Sequence, residues 1–351
     1  MEHPEFSHAL DDGRLLCTLC PRSCVLAEGQ RGLCFVRKRE GEGIELTTYG
    51  RSSGFVIDPI EKKPLNHFLP GTPVLSFGTA GCNLSCKFCQ NWDMSKSREM
   101  DTLQSPASPE RIAEAAVQHD CRSVAFTYND PVIFYEYAVD TAQACHEKNI
   151  HTVAVTAGYI SEAAREGFFR HMDAANVDLK GFSESFYRNL CGGELQPVLD
   201  TLQYLVHETE VWVEITTLLI PGENDSDREL DELTSWVARE LGPEIPLHFS
   251  AFHPDYRMLD HPPTSHASLL QAKSIAERNG MQYVYLGNVR DSKNASTSCP
   301  SCGQVLIGRS AYDITSWKLD MGVCQECGIT IPGVFETQHG DWGSRYQRVQ
   351  I

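Results

Sequence analysis

The chain has 351 residues, 41% of them hydrophobic, and a formal net charge of −17. That length suffices for one large domain or two to three smaller ones with a globular core. The acidic balance argues against a nucleic-acid partner held by charge, because phosphate binding needs clustered Lys and Arg. No apolar run approaches the roughly 18 residues of a membrane span, and Met1–Phe6 has neither the positive region nor the apolar region of a signal peptide. A cytoplasmic location is therefore expected. Fourteen cysteines in a reducing compartment point to metal or redox sites rather than disulfides.

In chain order, residues 1–16 are short and polar. Cys17, Cys20, Cys24 and Cys34 then follow as C-x2-C-x3-C-x9-C, with Pro21, Gly29 and Gly32 interspersed. Four thiolates at this density fit either a closed tetrahedral zinc site or an iron–sulfur cluster, and the spacing does not choose between them. Residues 36–49 read as two strands around Gly41-Glu42-Gly43, a hairpin. Pro73-Val74-Leu75-Ser76-Phe77 is a short buried strand. It leads into Gly78–Asn91, which holds Cys82, Cys86 and Cys89 as C-x3-C-x2-C with no fourth cysteine nearby. A closed iron–sulfur site takes four thiolates, so three on a four-iron cluster leave one iron open for chemistry. By spacing alone, the alternative is a structural metal loop or three unrelated thiols.

From there to about residue 290, apolar runs near 74–78, 122–128, 151–156, 174–179, 211–220, 246–251 and 282–286 alternate with amphipathic segments near 109–119, 132–148, 161–171, 197–208, 226–240 and 265–279. Ser108-Pro109-Glu110 is a helix start with a cap, a proline at the first position and an acid in the first turn. Strand–helix alternation predicts parallel βαβ units, and this number of them predicts a partial (β/α) barrel with its site at the C-terminal strand ends. Those ends carry Asn129 and Asp130, Thr156, Asp178 and Lys180, Thr217, and His248 with His253 beyond it. Asp130 precedes Pro131, which biases it towards extended geometry and is expected to keep it from starting a helix. Asp178 and Lys180 share one face of a strand. Cys191 is either a reactive thiol or a plain loop cysteine, whereas Cys121 and Cys145 read as core. Past 290, Cys299, Cys302, Cys324 and Cys327 form C-x2-C-x21-C-x2-C, each pair followed by Gly. That pattern is a zinc-ribbon or rubredoxin-like signal, with zinc favoured over iron.

A C-x3-C-x2-C loop after a first strand, with Phe88 just before the third cysteine, resembles the radical S-adenosylmethionine (SAM) superfamily. More narrowly, CTLCPRSC and GLC near the N-terminus, GTAGCNLSCKFCQNW, TYNDP, DLKGF, EITTLLIPGEND, FHPDY, YLGNV, CPSCG and CQECG resemble the AmmeMemoRadiSam-system radical SAM enzymes, themselves similar to pyruvate formate-lyase activating enzymes. The matching stretches run from about residue 17 to 335. The resemblance implies a four-iron, four-sulfur (4Fe-4S) cluster on Cys82, Cys86 and Cys89, with its open iron chelating SAM. It implies reductive cleavage of SAM to a 5′-deoxyadenosyl radical that abstracts hydrogen from a substrate. It also implies that Asp130 binds the SAM amino group, Asn129 sharing that role, and that Asp178 and Lys180 contact SAM. Thr156, Thr217 and His248, as polar strand-end residues, are candidates for the same cofactor site, with His248 and His253 read either as SAM or substrate contacts or as structural histidines. Two positions depart from the branch: Asp130 stands where Glu is usual, and Ala157 where Asn is expected.

The expected organisation is an N-terminal Cys-rich segment over 1–72, the barrel over 73–290 and a four-cysteine zinc module over 291–351. The expected cofactors are the 4Fe-4S cluster, SAM and Zn2+. The resemblance implies Memo-type and AMME-type partner proteins and a low-potential reductant such as flavodoxin or ferredoxin. Three functions stay open: activation or modification of a partner protein, radical modification of a small molecule or RNA, and a non-enzymatic iron–sulfur electron carrier.

Overall fold

Seven of the apolar runs become seven parallel strands of one sheet. The computed structural model describes residues 6–97 and 105–351. Residues 1–5 and 98–104 lie outside them, including most of the Met1–Phe6 stretch read above for a leader. The central sheet begins with β1 (Phe55–Pro59) and continues with β2 (Pro73–Phe77), β3 (Ser123–Phe126) and β4 (His151–Thr156). It is extended by β5 (Ala174–Asp178), β6 (Trp212–Leu219), β7 (Leu247–Ala251) and β8 (Val284–Gly287). The chain end returns as β9 (Gln347–Val349).

Strands β2 to β8 lie side by side in sequence order, all parallel. β1 runs antiparallel to β2, and β9 antiparallel to β1. The order never closes on itself, so β8 and β9 are the two sheet ends. The fold is α/β with a mostly parallel, open sheet.

The intervening segments are α1 (Pro109–Gln118), α2 (Tyr135–His146), α3 (Glu162–Phe169), α4 (Gln196–Glu208), α5 (Asp227–Glu240) and α6 (His266–Arg278). The Ser108 hydroxyl accepts from the Arg111 amide, so the cap read from sequence forms. Parallel strands in sequence order with right-handed crossovers place their helices on one face. Ile215, Leu219, Leu247 and Phe249 accordingly share one core with Leu230, Leu233 and Val237 of α5 and Leu269 and Ile275 of α6. The opposite face is plugged at the N-terminal end of the strands, where Ile60, Leu65, Phe68 and Leu69 pack on Val74, Ala125, Val153 and Ala174. Above that plug the face turns polar, with Asn176, Thr216, His248 and Ser250.

Ser7–Ala9, Leu15–Cys17 and Val25–Leu26 form a small antiparallel sheet, and Arg37–Glu40 pairs with Gly43–Leu46 as the expected hairpin. Toward the C-terminus, Val305–Ser310 pairs with Asp313–Trp317. Arg309 from this hairpin is buried against the plug, its Nη2 donating to the Asn66 carbonyl at 2.7 Å and its Nη1 to the Thr297 hydroxyl at 2.9 Å. One sequence expectation is corrected. Asp130 is extended (φ −73°, ψ 120°), yet a short 3-10 turn over Pro131–Phe134 does start from it. Proline lacks only an amide that a first turn leaves unpaired, and the Asp130 side chain caps the turn by accepting from Val132 N at 3.1 Å.

Candidate active site

The Cys82–Cys89 loop leaves β2 and is tied down from the neighbouring strand end. The Asn129 Nδ2 donates to the Gly81 carbonyl at 2.8 Å, and its Oδ1 accepts from the Thr79 amide at 3.2 Å. The approach is so close that a Cβ on Gly78 would collide with the Thr127 carbonyl and the Asn129 side chain. Asn129 thus spends its amide on the loop backbone.

All three loop cysteines line a cavity of about 660 Å³. Burial pushes the Cys82 thiol up to about 12 and also raises Cys89, whose Sγ sits 3.0 Å from the Ser95 hydroxyl. Cys86 is held below the ordinary thiol range by a hydrogen bond from the buried Cys191. Buried thiols such as Cys82 and Cys89 resist ionisation, so a cationic metal cluster is what would make those two anionic ligands beside Cys86. Three thiols facing one cavity, on a loop fixed by its neighbours, fit such a group. Cavities of a few hundred Å³ up to about 1,000 Å³ are the usual size for a cofactor site.

Asp130 also lines the cavity and is buried. Its carboxylate accepts from Thr156 Oγ1 at 3.0 Å, from Ala157 N at 2.9 Å and from Val132 N. Burial raises its pKa, against these three donors. Thr156 in turn accepts from Gly158 N at 3.0 Å. Ala157, a departure from the branch pattern, therefore contributes its main-chain amide to the site. Across the cavity, Lys180 Nζ lies 2.7 Å from Asp178 Oδ2. Burial opposes the Lys180 charge, but the Asp178 carboxylate overrides it and holds its pKa well above the ordinary lysine value.

His248 lines the same cavity, with its Nε2 2.6 Å from Glu214 Oε2. Glu214 was not singled out from the sequence, although its stretch was. Its two oxygens also accept from the amides of Asn66 and His67 and from Trp212 Nε1. Burial would raise its pKa, yet the bond to His248 and these donors bring it below the usual value. Thr217 is placed differently from the others. It faces away, donating to the Leu179 carbonyl at 2.8 Å, while its neighbours Thr216 and Leu218 line the cavity. His253 is exposed and does not line it. Sequence reasoning missed Tyr128, Lys63, Arg309 and Tyr312 as wall residues. Tyr128 takes a positive φ of 71°, an uncommon conformation for a bulky residue, at the end of β3.

The four C-terminal cysteines come together. Their sulfurs lie within 4.8 Å of one another, with Cys299 to Cys327 at 3.6 Å and Cys302 to Cys324 at 3.8 Å. The edge of a tetrahedron with metal–sulfur bonds of about 2.3 Å is ~3.8 Å, so this arrangement fits one metal ion. The N-terminal four line a separate small cavity of about 20 Å³. Among the described residues no helix is long and apolar enough to cross a membrane.

The family model of the radical SAM superfamily matches residues 77–233, which contain the whole cysteine loop and the Asp130, Thr156 and Lys180 strand ends. An uncharacterized protein of Methanocaldococcus jannaschii, MJ0808, is 38% identical over 333 residues, covering 94% of this chain and 99% of its own length. The pyruvate formate-lyase-activating enzyme of Clostridium pasteurianum is 24% identical, covering 51% of this chain and 80% of that enzyme. A 4-hydroxyphenylacetate decarboxylase activating enzyme of Clostridioides difficile is 22% identical over 58% of this chain and 70% of its own. Among solved structures, a radical SAM methyltransferase from Sphaerobacter thermophilus shares the fold, with a TM-score of 0.51 at 16% identity over 86% of this chain and 80% of that one. With the three-cysteine loop inside the matched span and such a sheet beneath it, this chain belongs to the radical SAM superfamily.

Proposed function

We propose that this chain is a radical SAM enzyme whose reaction takes place in the cavity under the Cys82–Cys89 loop. The observation that carries the reading is that all three loop thiols, Asp130, Thr156, Asp178, Lys180 and His248 line one chamber. Cys82, Cys86 and Cys89 would hold the 4Fe-4S cluster. When bound, that cluster and SAM supply one-electron cleavage of SAM and abstraction of a hydrogen atom from the substrate. The chain's own residues position and shield. Asn129 fixes the loop. Asp130 holds Thr156 and the Ala157 amide on the side where the SAM amino group is expected. Lys180, charged and compensated by Asp178, presents a cation inside a low-dielectric wall.

The substrate reading follows the activating enzymes: a partner protein presents one residue to the cavity. Memo-type and AMME-type proteins are the candidate partners, and flavodoxin or ferredoxin the candidate electron donor. A small polar substrate is the second reading. It is favoured by Glu61 Oε2 and Thr216 Oγ1, which are buried in cavity-lining residues with no hydrogen-bond partner among the described residues, whereas Arg309 Nε faces Glu61 Oε1 at 3.6 Å as a buried ion pair. Such atoms cost stability until a ligand satisfies them. We further propose one structural zinc on Cys299, Cys302, Cys324 and Cys327.

The test is anaerobic incubation of the reduced protein with SAM and a cell extract fractionated by size. Release of 5′-deoxyadenosine that depends on a macromolecular fraction supports the protein substrate. Dependence on the small-molecule fraction supports the second reading. No release under any condition, from protein that carries its iron, would overturn both and leave an electron carrier.

A further inference from the structure

We propose that the end of the large cavity away from the cysteine loop is an anion seat, where Lys62 and Lys63 take a carboxylate or phosphate group of the substrate. This deepens the reading of the cavity as the reaction chamber and rests on it. The seat is built on Asp58 of β1, a fully buried carboxylate. Its Oδ1 lies 2.9 Å from Lys62 Nζ and its Oδ2 2.8 Å from Lys63 Nζ. The Tyr128 hydroxyl donates to the same Oδ2 at 3.2 Å. Burial would raise the Asp58 pKa, but the two lysines bring it below the usual value, so the carboxylate is ionised. One negative charge thus serves two ammoniums, and the group as a whole carries one positive charge. The Lys63 side chain is only 3% exposed, that of Lys62 40%. A buried charge needs a partner. Both lysines line the cavity, so a ligand there can supply the missing negative charge.

The neighbouring acid does not supply it. Glu61 Oε1 accepts from the Gly71 amide at 2.8 Å and faces Arg309, so those two charges cancel each other. Lys63 shows the imbalance. Burial first, and Lys62 after it, push its pKa down to about 8, more than Asp58 restores. At neutral pH the amine is still protonated, and an anion beside it would be welcome. The cavity as a whole leans the same way. Six lysines and arginines line it against four aspartates and glutamates, although the chain carries −17, so anions are drawn to the chamber rather than to the rest of the surface.

Backbone strain marks the same place. Tyr128 keeps its positive φ of 71° at the end of β3, and from there its hydroxyl reaches Asp58 across β2, with its ring 5.1 Å from Lys63 Nζ. Strain of this kind persists where the surroundings hold it, commonly at ligand sites. Asp58 pairs with Val74, three residues before β2 ends at Phe77, so it lies roughly 10 Å down the strand from the start of the cysteine loop. A substrate held there by its anionic end extends up the chamber towards the thiols.

The test is calorimetric titration of anaerobically reconstituted protein, with and without SAM. The probes are inorganic phosphate and acetate, with acetamide and methylammonium as neutral and cationic controls. Phosphate or acetate should bind and the two controls should not; the tighter anion names the substrate group. Lys63→Met should weaken that binding about tenfold or more. Lys62→Gln changes a partly exposed side chain, also brings the group to zero charge, and should weaken it too; if Lys63→Met fails to fold, Lys62→Gln decides. Binding of neither anion, or equal affinity in parent and variants, would overturn the proposal. So would displacement of the anion by SAM, which would assign the lysines to the cofactor. Anion binding by protein that never cleaves SAM would leave the seat standing and remove the reaction, whereas SAM cleavage without anion binding would do the reverse.

Discussion

His67 Nε2 accepts a hydrogen bond from the Tyr285 hydroxyl at 2.6 Å, joining the plug at the base of the sheet to its last parallel strand. His67 Nδ1 faces the Pro332 carbonyl at 2.8 Å, which can only accept, so Nδ1 carries the proton and the ring is neutral. Tyr285 passes the chain on to Thr297 at 2.8 Å, and Arg309 donates to Thr297. A single file of buried polar groups thus couples plug, sheet and C-terminal hairpin.

This chain gives the stability a pH dependence. Burial pushes the His67 pKa down to about 4 from its ordinary 6.5, despite the nearby Glu214 carboxylate, with Arg309 and His248 opposing its charge as well. Between those values the unfolded chain binds more protons than the folded one, so stability falls as pH drops through that window. Glu214, held below its ordinary value, adds loss in the same direction at lower pH. The thermal midpoint should therefore decline from pH 7 to pH 5. In His67→Gln the decline should be shallower. An equal slope in parent and variant would refute the assignment.

Asn129→Ala should loosen the cysteine loop. It removes the donor to Gly81 and the acceptor for Thr79, buried bonds worth about 1 kcal/mol each and more if partners stay unpaired. Reconstituted iron at the loop should fall while zinc stays constant, measured by metal analysis. Unchanged iron would show that the loop holds itself.

Asp130→Asn places an amide where three donors converge. One of them then loses its acceptor, costing about 1–3 kcal/mol of stability. SAM binding by calorimetry should weaken about tenfold or more, at constant iron. Asp130→Glu adds a methylene to a buried position and should also destabilise, although it restores the residue usual in the resembled branch. Tight SAM binding by a stably folded Asn variant would assign the amino contact to another group.

Changing Cys302 and Cys327 to Ser should remove one zinc per chain and lower the thermal midpoint, since binding energy at such a site is folding energy. Because Arg309 and Tyr312 of the same region line the large cavity, SAM cleavage should fall as well. Retained zinc in that variant would contradict the assignment.

Much of this was legible in the chain itself. Each of the seven apolar runs became a parallel strand, because continuous apolar stretches are what strands covered on both faces require. The three-cysteine loop and the C-terminal four were readable as local patterns. What stayed hidden depends on register or on distance along the chain. Thr216 and Thr217 differ only in which face of β6 they occupy, and the unbroken buried stretch 213–217 gives no alternation to tell them apart. The bonds from Glu214 to Asn66 and His67 span almost 150 residues, and Arg309 reaches Asn66 from 243 residues away. Local spacing carries no trace of such pairings. Asp130 was misread as unable to begin a helix because the rule for residues before proline describes its own backbone, not the turn its side chain can cap.

The most direct measurement of the central claim is 5′-deoxyadenosine release from SAM by anaerobically reconstituted, chemically reduced protein, comparing the parent with the Cys82→Ala, Cys86→Ala, Cys89→Ala variant. The expected result is release by the parent and none above background by the variant, with zinc content unchanged. Reductive cleavage that survives the triple change would contradict the assignment of the reaction to this loop.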